Sequence, residues 1–451
     1  MTDSDRFPLL TDEGRRLLRR LREHPRAPKY TAQCGNRLTA DYLRRVRAFE
    51  SELRASPRGW PPGALPHWLD DFVEMCFRDV PFYRRYGDRP LQFADLPTTT
   101  RADLSREIWS FVPDSQPLDD LIWYATSGAT GHPLTILSHP VAGACYTPLL
   151  KLALTRHKVE LTSGAGQVAC ILVGWQKRAY TYPSITPQQN DAGHIKLNLH
   201  PDDWRRPDDR APFLDDCNPE IYTGDPIAFA ELLQLPLRSR PRALISTAMM
   251  LLPELRRRLE SHFGCPVVDV YSMNETGPVA VRDPDMETWT LLQPGLFVEI
   301  LDSDGNPCPI GRRGEVTLTG GFNPFLPLLR YRTNDFAALD YRGDQPVLIG
   351  LEGRRPVLFR SADGHAISTL DVTAALKPFA LPQFALHQFA DGALHLRLRN
   401  GAAADDSQLR AALTPLFGVT QTLTIEHVDS FGDKTLNYTT DLSPTTQPPN
   451  P

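Results

Sequence analysis

The chain has 451 residues, more than one ordinary globular core holds, so two or more domains are expected. Its apolar fraction of 41% and charged fraction of 23% are those of a folded soluble protein, and a net charge of -5 argues against bulk attraction to nucleic acid or to an anionic membrane. No apolar run approaches the ~20 residues of a membrane-spanning helix. The opening MTDSDRFPLL lacks the basic end and apolar stretch of a secretory signal, which predicts a cytoplasmic protein. Seven cysteines stand singly at 34, 76, 145, 170, 217, 265 and 308, and read as buried thiols rather than as a disulfide frame or a zinc site.

Residues 11–55 read as helical and basic, with Leu17, Leu18 and Leu21 marking an apolar stripe and the arginines a solvated face. WLDDFVEMCFRDVPFYRRYG predicts a further helix ending near Pro81, and in LPTTTRADL either Thr100 or Asp103 is placed to cap the next one. From residue 121 the texture alternates. LIWYA and LTILS are strand-like runs around the turn TSGATGHP, and GQVACILVGW is a buried strand. IAFAELLQL, RALIST, PELRRRLESHFG and PVVDVYS read as helix, strand, helix and strand, which predicts α/β layering with parallel pairing. LFVEILDSDGNPCPIGRRGEVTLTG then predicts an antiparallel hairpin, and the last ~95 residues a small α+β unit with a flexible tail, SPTTQPPNP.

Four stretches carry chemistry. TSGATGHP exposes backbone N–H groups and hydroxyl donors suited to phosphate oxygens, but it lacks a Walker Gly-Lys-Ser/Thr ending, and an ordinary hairpin turn remains an equal reading. In VVDVYSMNETG a strand ends at Tyr271 and Glu275 follows in the loop. A ring there suits a base and a carboxylate suits Mg²⁺, against the alternative of a solvated loop acid. In LRYRTNDFAALD, Asp335 is placed to hold a diol, or else Asn334 and Asp335 merely start a turn. Lys434, in GDKTLNYTTDL, is one of only two lysines beyond residue 200 and offers a mobile positive charge, although a surface lysine is the ordinary reading.

These stretches, in this order, resemble the motif set of the adenylate-forming superfamily, which includes acyl-CoA synthetases and peptide-synthetase adenylation domains. The likeness is to its phenylacetate-CoA ligase-like branch and runs from about residue 75 to 440. It implies an α/β fold: a large N-terminal adenylation core over 1–352 of layered α/β sheets plus a β-rich subdomain, with a helical region at 1–110. A small mobile α+β domain over 353–441 and a tail at 442–451 would follow. Thr126, Ser127, Gly128, Thr130 and Gly131 would wrap the phosphates of ATP. Tyr271 would stack on adenine, with Ser246, Thr247, Ala248 and Asn274 lining the nucleotide. Asp335 and Arg354 would hold ribose or phosphate. Glu275 would bind Mg²⁺, and Lys434 would bridge the acid and the α-phosphate, so that Lys434, Thr130 and Glu275 form the implied catalytic set.

The chain departs from the pattern at His132 and Ala129 in the phosphate loop, at Asn274 and Asn334, and at Val357, where an aspartate is usual. Trp175, Tyr180 and Tyr182 fall where this branch builds its acid pocket. With Tyr180 and Tyr182 alternating along a strand, an aryl acid is the favoured substrate, and His194 and His200 are candidates to orient a carboxylate. The implied activity is ATP-dependent activation of a carboxylic acid as acyl-adenylate, then transfer to a thiol of CoA or of a carrier protein. A nitrogen nucleophile, an unusual oxyacid and a non-catalytic nucleotide-binding relative are the alternatives. A small-molecule acid is the expected partner, with neither nucleic acid nor membrane, in a monomer or homodimer.

Overall fold

The computed structural model describes residues 2–55, 59–125, 134–176, 179–285, 287–353, 357–431 and 437–442. Apolar, β-branched runs separated by amphipathic helices build one 13-stranded sheet. Its α/β half is a parallel run of Ala192–Asn198, Val168–Gly174, Ile221–Gly224, Ala243–Ser246 and Val267–Met273, in that spatial order, with Tyr182–Thr186 antiparallel on the outer edge. Gly277–Arg282 turns back antiparallel beside Val267–Met273. It continues into an antiparallel half that ends in the expected hairpin of Leu296–Leu301 and Arg313–Gly320.

The helix Asp12–Glu23 buries Leu17, Leu18 and Leu21 and leaves most of its arginines to water, so the basic stretch is a solvated face. Thr100 caps Arg101–Glu107 in a capping box with Asp103, so both candidate residues serve the same cap. LRYRTNDFAALD forms no turn: it lies within one 15-residue strand, Leu328–Arg342, in which Asn334 takes a left-handed φ of 61°. The seven cysteines are all free thiols. No helix among the described residues is long and apolar enough to cross a membrane.

The last part of the described chain packs around its own core, including Phe359, Val372, Leu386, Leu396, Leu413 and Phe417. Two helices, Thr369–Leu376 and Asp406–Phe417, flank a four-stranded sheet there. Leu252 and Met250 of the larger part join this cluster. Arg399 ties the two parts together, 3.1 Å from Glu231 and 5.4 Å over the Trp175 ring.

Asp269, in the middle of Val267–Met273, is 5% exposed and its nearest cation, Arg282, is 3.9 Å away. Burial pushes its carboxyl from the usual 3.8 to about 7, more than Arg282 and Arg256 draw it down. Between those values the native state holds a proton that the unfolded chain has released, so stability falls as pH rises from about 4 to about 7. Asp269→Asn is expected to flatten that slope and to raise the urea midpoint at pH 8. Parallel pH profiles of the midpoint in wild type and variant would speak against this origin of the slope.

Candidate functional site

The parallel strands end on one edge, and the residues following them gather there. Gly224 ends Ile221–Gly224, where a Cβ would come within 2.9 Å of the Val173 carbonyl oxygen, so only glycine fits. Its carbonyl accepts the Thr247 N–H at 2.9 Å, which fixes the turn after Ala243–Ser246. In that turn Ala248 takes a φ of 68°, a left-handed conformation costly for a residue with a Cβ. Ser246 is fully buried, and among the described residues its hydroxyl has no hydrogen-bond partner. Ala248→Gly should therefore raise unfolding stability by about 0.5–1 kcal/mol net of the added chain entropy. Chemical denaturation reads the change, and a loss of stability would show that the conformation carries no strain.

On the next strand, Val267–Met273, and just past it, Tyr271 and Glu275 meet the strand Leu328–Arg342. The Tyr271 hydroxyl donates to Asp335 Oδ2 at 2.7 Å. Burial, then the Asp335 charge, holds that phenol well above its ordinary pKa, so it stays a donor. The Asp335 N–H donates to Thr333 Oγ1 at 3.0 Å, while the Asn334 N–H donates to Glu315 at 2.9 Å. These bonds fix the kink that presents Asp335. Glu275, 7% exposed, accepts from the Tyr331 hydroxyl at 3.1 Å and from Arg101 Nη1 at 3.2 Å. Arg101 is carried there by the pairing of Thr99 and Thr100 with Tyr331 and Arg332 and by the capped helix that follows. The Asn274 carbonyl accepts from the Tyr124 hydroxyl at 3.2 Å. Tyr124 belongs to the hairpin of Ile122–Ala125 and Thr135–Ser138, so the hairpin that carries the glycine-rich turn is tied to the Glu275 loop.

Tyr271 thus bonds Asp335, Glu275 bonds Tyr331 and Arg101, and the Asn274 carbonyl bonds Tyr124, three sets of contacts on the segments that follow Val267–Met273 and line Leu328–Arg342; Ser246, Thr247 and Ala248 follow the neighbouring strand on the same sheet edge. Sequence reasoning missed Arg101, Tyr331, Thr333 and Tyr124. Tyr331 and Thr333 carried a signal, because alternation along a strand puts them on the face of Asp335. Arg101 and Tyr124 carried none, since their partners lie over a hundred residues away. Thr126, Ser127, Gly128, Thr130, Gly131, Arg354 and Lys434 lie outside the described residues. Arg354 follows Gly353 in the chain, and Gly353 pairs with Asp335.

The three candidate pocket aromatics do not converge. Tyr180 precedes the strand and is 74% exposed, contrary to the alternation expected of it. Trp175 packs on His200 and under Arg399. Only Tyr182 opens the edge strand, half-buried. Among the described residues no group of three or more His, Cys, Asp or Glu is poised to hold a metal. Glu275 offers a single buried carboxylate, and next to it in the chain stands the Thr276 hydroxyl, which has no hydrogen-bond partner among the described residues. That set fits Mg²⁺ if substrate phosphates and waters supply the remaining oxygens.

Residues 147–323 match the AMP-binding enzyme family. A phenylacetate-coenzyme A ligase of Thermus thermophilus is 24% identical over 404 residues, 82% of this chain and 85% of that protein. A phenylacetate-coenzyme A ligase of Escherichia coli is 24% identical over 293 residues, 59% of this chain and 64% of that protein. Among solved structures, 2-hydroxyisobutyryl-CoA ligase in the postadenylation state superposes with a TM-score of 0.61 at 16% identity, covering 88% of this chain and 90% of that one. At that identity the likeness concerns the fold.

Proposed function

Because the chain belongs to the adenylate-forming superfamily, we propose that it activates a carboxylic acid with ATP as an acyl-adenylate and transfers the acyl group to a thiol. The observation that carries this reading is the 2.7 Å bond between Tyr271 and Asp335 beside the Glu275 turn. It brings together a ring for the base, a carboxylate for a diol and an acid for a cation. Ser246, Thr247 and Ala248 line the nucleotide beside Tyr271, and the buried Ser246 hydroxyl gains the partner that the described residues do not give it. Asn274 shapes the turn, Arg354 reaches the ribose or α-phosphate, and the segment from Thr126 to Gly131 wraps the phosphates.

In the first half-reaction an oxygen of the acid attacks the α-phosphorus, the α–β anhydride bond breaks, and pyrophosphate leaves. The protein's part is placement and charge neutralisation rather than covalent chemistry. Lys434, on the domain following residue 353, swings in to meet the negative charge that builds between acid and phosphate. Mg²⁺, held by Glu275, would neutralise charge on the phosphates. In the second half-reaction a thiol sulfur, of CoA or of a carrier protein, attacks the acyl carbon and AMP leaves.

The test is pyrophosphate release across a panel of acids, followed by mass spectrometry of the product formed with CoA, a phosphopantetheinyl carrier or an amine. Acid-dependent release and a thioester are expected. An amide would reassign the acceptor, and no release with any acid would remove the catalytic reading.

A further inference from the structure

The C-terminal part meets the larger part through a contact that the nucleotide site does not use. In its four-stranded sheet, Arg399 and Val428 close two parallel strands, Leu394–Arg399 and Leu423–Val428, while Phe384 and Tyr438 open the two strands that run the other way. All four residues stand at one end of the sheet, so the chain leaves Val428 and returns at Tyr438 at the end where Arg399 sits. Lys434 falls between them in the sequence. The start of that connection is held to the strand of Arg399. Asn400 Nδ2 donates to Asp429 at 2.6 Å, and the Arg397 guanidinium lies 5.0 Å over the Phe431 ring. Arg397 and Arg399 alternate onto one face, and Lys434 follows Phe431 by three residues, about 10 Å of extended chain.

The residues that receive Arg399 lie on the nucleotide edge. Trp175 directly follows Val168–Gly174, and its ring packs against the core cluster that holds Ile171, Val173, Leu244 and Val267. Ser246 is two residues past Leu244 and Tyr271 four past Val267, so alternation puts both on that same face. Trp175 is thus on their side of the sheet. Two strand steps separate its strand from Ala243–Ser246, about 10 Å at the usual strand spacing. Glu231 belongs to the helix Pro226–Leu233, which buries Phe229 and Leu232 in that cluster, and Ala380 of the C-terminal part joins it there. Beyond Ile221–Gly224 on the other side, Met250 and Leu252 follow Ala248 and enter the C-terminal core. The C-terminal part therefore straddles the end of Ile221–Gly224.

Arg399 is 5% exposed, donates to Glu231 Oε1 at 3.1 Å and lies 5.4 Å over the Trp175 ring. A guanidinium so buried depends on its partners, and its planar fork with an aromatic face beneath it specifies one geometry.

We propose that Arg399, seated against Trp175 and Glu231, is a positioning residue: it docks the C-terminal part in the orientation that brings Lys434 over the nucleotide edge, and so sets the rate of acid activation apart from that of thiol transfer. This rests on the adenylation reading. It also assigns Trp175 to docking rather than to the acid pocket.

The experiment measures the two half-reactions separately in wild type, Arg399→Met, Arg399→Lys and Glu231→Gln. Acid-dependent exchange of labelled pyrophosphate into ATP reads the first. Thioester formation from a supplied acyl-adenylate, with the thiol that product analysis identifies, reads the second. Only the first needs the docked orientation, so its rate follows the fraction of molecules docked. Arg399→Met should lower exchange about ten-fold and leave thioester formation within about two-fold of wild type. Arg399→Lys and Glu231→Gln each keep part of the contact and should fall between. Equal loss in both half-reactions would make Arg399 a plain stabilising contact and overturn the proposal, as would wild-type exchange in Arg399→Met. If no acid supports exchange in wild type, the adenylation reading fails, and small-angle X-ray scattering decides the docking. A larger radius of gyration in Arg399→Met then keeps the docking contact, and an unchanged one overturns it.

Discussion

Glu275→Gln is expected to lower acid-dependent pyrophosphate release about 100- to 1000-fold, the usual effect of removing one electrostatic element that acts on the transition state. The amide oxygen of glutamine can still accept from Tyr331 and Arg101, now 3.1 and 3.2 Å from the carboxylate. Arg101 loses its counter-charge but is 31% exposed, so water takes over its solvation. The fold and the Asn274 turn should therefore survive, and the loss should be chemical. The Mg²⁺ concentration for half-maximal rate should rise with the fall in rate, while ATP binding measured by calorimetry without acid changes little. A variant of wild-type rate and Mg²⁺ dependence would show that Glu275 only anchors Arg101 and Tyr331.

The largest structural effect is expected at Arg330. Its guanidinium is 2% exposed and donates to Glu299 Oε1 at 2.8 Å, to the Leu96 carbonyl at 2.8 Å and to the Ala94 carbonyl. It thereby joins Leu296–Leu301 and Leu328–Arg342 to the segment that leads into the Arg101 helix. Arg330→Met leaves Glu299 buried without its cation and should cost about 3–5 kcal/mol of unfolding stability. Burial already raises the Glu299 pKa against the pull of Arg330. Without Arg330 that carboxyl is raised further, so the variant's deficit grows as pH rises through the Glu299 range and shrinks below it. The double variant Arg330→Met/Glu299→Leu should recover much of the loss, because no buried charge is then left alone. Equal stability of wild type and Arg330→Met by urea denaturation would mean the pair contributes nothing.

The α/β half of the fold was legible because each of its elements carries its own local signal. RALIST, PELRRRLESHFG and PVVDVYS have distinct periods, and Gly264 closes the helix in a left-handed conformation. The helix Pro140–Arg156 gave no such signal. It is apolar around much of its surface, contains Pro148, and packs into two core clusters, so its sequence lacks a single stripe. Asn334 looked like a turn residue because its local chemistry favours one. Pairing with strands on both sides keeps it in a strand, and the left-handed preference appears only as a kink. Tyr271, Glu275 and Asp335 stood out by order and residue type. The residues that hold them, Arg101 and Tyr331, are fixed by contacts between distant segments that no local pattern encodes. The surroundings of Trp175 were illegible for a related reason: its ring lies under Arg399, a partner more than two hundred residues away.

Oxygen tracing follows the proposed bond-making step directly. The acid selected by the panel is labelled with ¹⁸O in its carboxylate and turned over with ATP and a thiol acceptor. Attack of the acid on the α-phosphorus moves one labelled oxygen into AMP at each turnover and leaves pyrophosphate unlabelled. Label in orthophosphate with ADP as the other product, or AMP free of label, would rule out an acyl-adenylate.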